Sequence, residues 1–129
     1  MRFETAKDLA KEVAVMERFA KGNPFHKLGE HDLDFCIPGR CYVEVKCINS
    51  SSTAYDVQII SLIKLVKMQE MARKLPTFIV FGYTDKIKYI NFIDIDGYIK
   101  HSGREQRDGA ANDRELLLFL DRKKLTELY

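Results

Sequence analysis

The sequence lacks any apolar run near the about eighteen residues that a membrane-spanning helix requires. Its first residues, MRFETAKDLAKE, carry acids from Glu4 onward and do not have the form of a secretory signal, so the chain is expected in the cytosol with no membrane partner. Cysteine is scarce. Cys36, Cys41 and Cys47 leave one over and form no C-x-x-C pair, which argues against a disulfide framework. His26, His31, Cys36 and Cys41 make a conceivable zinc set, but their spacings match no knuckle and two of the four alternate onto opposite strand faces. Small buried thiols in a reducing compartment are the expected reading. An excess of one charge is also missing: the formal net charge of +2 is too small to argue alone for a nucleic-acid partner. Neither internal repeats nor low-complexity tracts occur. What remains is 129 residues, 46% hydrophobic and 31% charged, the make-up of one globular domain spanning 1–129 with a real core.

Residues 4–21 have the spacing of an amphipathic helix, with Ala6, Leu9, Val13, Met16 and Ala20 on its apolar side and Gly22-Asn23-Pro24 ending it. Glu17 pairs at i+4 with Lys21. Glu12 differs, because Val15, Met16 and Phe19 at i+3, i+4 and i+7 set its carboxylate at a core margin. Such a carboxylate needs a partner or a metal, unless it snorkels past Phe19 into water. A brief strand is expected around Phe25 to Leu28, then a hairpin.

After the hairpin, Thr53 and Asp56 have the form of a capping box, and 54–74 reads as a long helix that is apolar on more than one side. Gln58 stands among apolar neighbours there, whereas Lys64, Lys67, Arg73 and Lys74 read as solvated. Thr77 to Tyr83 is an unbroken apolar run, the mark of a strand covered on both faces. Ile87 to Ile95 alternates as its hairpin partner. Residues 101–114 hold little that can be buried and read as a mobile loop carrying Arg104, Arg107 and Arg114. The chain closes with a strand-like ELLLFL and a short helix over DRKKLTELY, with Asp121 as its N-cap.

The chemistry gathers in Asp34 to Lys46, DFCIPGRCYVEVK: two short apolar strands about a Pro-Gly turn. Alternation puts Cys41, Val43, Val45 and Cys47 on one face, and Tyr42, Glu44 and Lys46 on the other. Folding back at Pro38-Gly39 brings an aspartate toward Glu44. Asp34 is nearer in register, and Asp32 shares its parity. Two carboxylates suit magnesium, which prefers hard oxygen ligands and keeps several waters. The Val45 carbonyl and Glu12 can complete the donors, and Lys46 stands where an amine can orient a water or offset phosphate charge. Taken alone, Glu44-x-Lys46 also fits ordinary polar decoration of an exposed strand.

Helix, short strand, strand with Asp34, strand with Glu44-Val45-Lys46, helix, strand: this order resembles the PD-(D/E)XK nuclease superfamily, with Asp34, Glu44 and Lys46 on its motif. The resemblance covers about 5–95 and is strongest to small phage and resolvase-type members. It departs at Leu33, where the family often has proline. It implies an α/β fold with a restriction-endonuclease-like core, a central mixed sheet flanked by helices in αβββαβ order. It also implies a Mg2+- or Mn2+-dependent endodeoxyribonuclease with Asp34 and Glu44 as metal ligands, Lys46 serving the water, and Glu12 and Gln58 as the helix-borne additions. DNA is the implied partner, read by structure rather than by a long sequence, with a homodimer offering two sites. The competing expectations are a noncatalytic nucleic-acid-binding module and an interaction protein on the same fold.

Overall fold

A computed structural model describes residues 6–29, 32–101 and 116–129. His31 and the loop expected at 101–114, beyond His101, lie outside the described residues. Helix α1 (Ala6–Ala20) follows the expected spacing. It stops where Lys21 and Gly22 take positive φ, and the Lys21 and Asn23 amides close on the Glu17 and Ala20 carbonyls.

Strands β1 (His26–Lys27), β2 (Phe35–Ile37) and β3 (Cys41–Cys47) then form an antiparallel meander. The turn between β2 and β3 closes with the Arg40 amide on the Ile37 carbonyl at 2.9 Å. Gly39, φ +73°, takes the left-handed position after Pro38 that a type II turn reserves for glycine.

The expected helix over 54–74 is corrected. Residues Val57–Ser61 are strand β4, and only Leu62–Ala72 form helix α2. An apolar run does not tell the two apart, but Val57, Ile59 and Ile60 are β-branched and alternate in burial, and all five residues pair with a later strand. The Thr53/Asp56 capping box therefore caps nothing. Ser61 occupies the N-cap without a side-chain bond.

Strand β5 (Thr77–Gly82) runs parallel to β3, and β6 (Ile87–Asn91) returns beside it. The second of these is shorter than expected, because the Asn91 side chain accepts from the Ile93 amide and opens a 3-10 turn over Phe92–Asp94. Strands β7 (Tyr98–His101) and β8 (Leu116–Asp121) follow. Asp121 does cap, but the element is a 3-10 turn, Arg122–Lys124, leading to β9 (Thr126–Glu127) where a terminal helix was expected. Pairing of β9 with β6 extends the chain there.

Among the described residues two sheets result: a mixed six-stranded one in the order β1-β2-β3-β5-β6-β9, and a three-stranded antiparallel one, β4-β8-β7. The αβββαβ order holds with β4 inserted before α2. Both faces of β5 are covered, as its unbroken apolar run requires. Val80 packs with Val43, Val45, Met16 and Ala20 on the α1 side, while Ile79 and Phe81 pack with Met68, Met71 and Leu120 on the other. Cys36, Cys41 and Cys47 are free thiols, the first two buried.

Candidate active site

Asp34 immediately precedes β2, and the pairing of Phe35 with Val43 sets it opposite Glu44. Its carboxylate continues the ladder where β2 ends, with Oδ2 accepting from the Val45 amide at 2.9 Å. Both lie in a cavity of about 570 Å³ that Glu12, Val45, Lys46 and Lys64 also line. Five sequence-nominated groups thus converge: Glu12 from α1, Asp34 from the start of β2, and Glu44, Val45 and Lys46 from β3. Asp32 is not among the lining residues, and Glu17 is exposed on another part of α1.

Gln58 is not in the cavity either. Carried by β4 rather than by a helix, it is 4% exposed and accepts from the Tyr83 hydroxyl at 2.6 Å. Burial pushes Tyr83 up to about 12, so its hydroxyl stays protonated and donates throughout the working pH range. The Gln58 amide donates in turn to the Ile59 carbonyl at 3.3 Å, an oxygen to which Lys46 Nζ also donates at 3.4 Å. Gln58 therefore reaches the site only through Ile59.

The residue that arrives from α2 is Lys64, whose ammonium lies 3.0 Å from Glu44 Oε2. Lys64 reads as solvated because charged side chains usually coat exposed faces, and half of its side chain is exposed, yet its ammonium reaches the cavity. Once β4 takes 57–61, Lys64 falls in the first turn of α2 and points at β3. Asp8, Lys11 and Asn49 line the cavity as well, with no signal in the linear sequence to single them out.

Glu44 is 9% exposed, and its acidity reflects that. Burial first, then the charge of Asp34, push it up from 4.5 to about 7, against the opposing pull of Lys64. Partial burial pulls Lys64 down, but Glu44 outweighs it and leaves the ammonium above its ordinary value. The cavity lining sets four carboxylates, Asp8, Glu12, Asp34 and Glu44, against three lysines, Lys11, Lys46 and Lys64. Glu44 Oε1 is fully buried and, among the described residues, meets no hydrogen-bond donor.

A buried carboxylate oxygen without a donor, beside a second carboxylate and next to a backbone carbonyl, fits a small hard dication. Among the described residues no three or more His, Cys, Asp or Glu side chains stand together as a ready cage. Two acids with room for water is the arrangement magnesium tolerates best.

The sequence profile of a family described as phage putative PDDEXK endonuclease matches residues 1–128. The chain belongs to this PD-(D/E)XK family. No curated protein matches it. Membership joins the fold, a mixed sheet flanked by two helices, to nuclease chemistry at the level of the family. The PD-(D/E)XK hairpin is here DFCIPGRCYVEVK, with Leu33 fully buried in the α2-side core where the motif name has proline. No described helix of this family member is long and apolar enough to cross a membrane.

Proposed function

We propose that the protein is a divalent-metal-dependent DNA endonuclease acting through Asp34, Glu44 and Lys46, and selective for DNA structure rather than for a long sequence. One observation carries this reading: the donorless buried oxygen of Glu44, held against Asp34 with Lys46 two residues along the same strand. Asp34, Glu44 and the Val45 carbonyl would hold Mg2+ or Mn2+, with Glu12 at the margin. When bound, the ion supplies an activated water and offsets charge on the phosphate.

The chain's own groups do the rest. Asp34 is fixed by the Val45 amide and so holds the hairpin end at the spacing the two carboxylates need. Lys46, steadied against the Ile59 carbonyl, orients the attacking water and balances charge building on the phosphate. Lys64 keeps one oxygen of Glu44 directed and leaves the other to the ion. Gln58 is a positioning residue, acting through Ile59. A homodimer would cover Ile63 and Val66, which α2 leaves 75% and 54% exposed.

The test is incubation with linear, nicked, flapped and four-way DNA in magnesium, beside Asp34→Ala. The expected result is cutting of branched substrates that chelation stops. Asp34→Ala should lose it while still binding DNA. A wild type that cuts none of the four points to the noncatalytic module, and full activity in Asp34→Ala overturns the site.

A further inference from the structure

A second cleft, of about 390 Å³, adjoins the acidic cavity and shares Lys11, Cys47 and Asn49 with it. Its character is different. Lys11 and Arg18 stand at i and i+7 of α1, with Ala14 and Val15 between them on the same face, so cations at both ends of the helix stripe flank an apolar middle. Ile48 adds to the apolar lining, and Lys86 lines it too, its ammonium paired with Glu127 Oε1 at 2.8 Å, so Lys11 and Arg18 are the cations that face the cleft without that pairing. Asp85 also lines the cleft, but its two oxygens are taken by the Ser52 amide and hydroxyl at 2.8 and 2.9 Å.

A volume of this size accepts a small organic group. Cations with an apolar lining, continuous with a phosphodiester-cutting site, fit a nucleotide whose phosphate and base are both available. A paired base is stacked in the duplex and presents only its backbone. An unpaired one can lay its face on Ala14, Val15 and Ile48 while Arg18 and Lys11 meet the phosphates.

We infer that this cleft binds an unpaired nucleotide next to the scissile phosphate, so that a displaced single strand is what the enzyme prefers. The inference rests on the nuclease reading for its direction and deepens it by naming the strand form. Lys11, shared by both cavities, is the link between the bound nucleotide and the acidic pair.

Two substitutions test it at exposed positions of α1, leaving the core and the acidic cavity intact: Ala14→Trp fills the apolar middle, and Arg18→Ala removes a phosphate contact. Anisotropy in EDTA would compare a labelled single strand of about fifteen nucleotides with its blunt duplex. Circular dichroism would confirm folding. Each variant is expected to lose roughly tenfold in single-strand affinity and to leave duplex affinity within about twofold. In magnesium, the preference for flapped over linear DNA should fall in parallel. Unchanged single-strand affinity in both variants, or an equal loss on single strand and duplex, overturns the inference and leaves the nuclease reading standing. The expected binding pattern without cutting of any DNA by wild type overturns the nuclease reading and leaves the cleft. A wild type that binds no DNA overturns both.

Discussion

The two neighbouring cavities share a wall and hold their charges in opposite ways. In the acidic one, Asp34 and Glu44 are fixed by strand pairing and a backbone hydrogen bond, and Glu44 is buried to the point where its ionised form is costly. In the cleft beside it, Lys11 and Arg18 sit on the exposed side of a helix, where solvation costs little. Groups meant to concentrate a strong field are held rigidly and kept from water. Groups meant to attract a flexible polyanion stay wet and movable.

Lys46 gives the sharpest way to break this comparison. Lys46→Ala is expected to slow turnover by about a thousandfold, within the range of a lost acid-base or charge-stabilising group, and to leave manganese binding by calorimetry intact. Lost metal affinity would move Lys46 from the water to the metal. The next effect belongs to Glu44. Its folded value near 7 lies above the unfolded 4.5, so the native state retains a proton that the unfolded state releases. The Glu44 contribution to stability is therefore fully kept below 4.5 and is lost as pH rises through about 7, by roughly 3 kcal/mol in metal-free protein. Urea unfolding at pH 4.5 and 8 would show it, and Glu44→Gln should flatten the slope. An equal slope in Glu44→Gln would place the proton elsewhere. The smallest effect sits in the wall of the cleft. A Cβ on Gly82 would come within 2.7 Å of Val15 Cγ2, so Gly82→Ala should push α1 outward and cost about 1 kcal/mol, read as a lower melting temperature. An unchanged melting temperature would mean that α1 floats on the sheet there.

The acidic hairpin was legible because its signals are local. Pro38-Gly39 fixes the turn, the turn fixes the register, and the register selects Asp34 over Asp32 for the cavity wall. Helical spacing set Glu12 at a core margin, and it lines the cavity there. The segment from Val57 to Ala72 was not, because VQIIS and LIKLV are equally apolar, and what makes the first a strand is β8, more than fifty residues away. That one boundary hid two placements: Gln58 lies on a strand outside the cavity, and Lys64 lines it from the first turn of α2. Arg122 was lost in the same way. It was read as part of a terminal helix, yet it is 7% exposed, donates to the Ser51 and Ser52 carbonyls and lies over the Tyr83 ring. Nothing local marks an arginine as a clamp on a loop seventy residues earlier.

The position of β4 at the edge of the smaller sheet makes the cavity depend on residues far along the sequence. Among the described residues its strand neighbour is β8, and the loop before it is gripped by Arg122. Asp34 and Glu44 face each other through a hairpin local to themselves, whereas Ile59, whose carbonyl lies 3.4 Å from Lys46 Nζ, is carried by a strand that pairs with Leu117 to Asp121. A substitution that loosens β8 should therefore disturb the surroundings of Lys46 before those of the carboxylates.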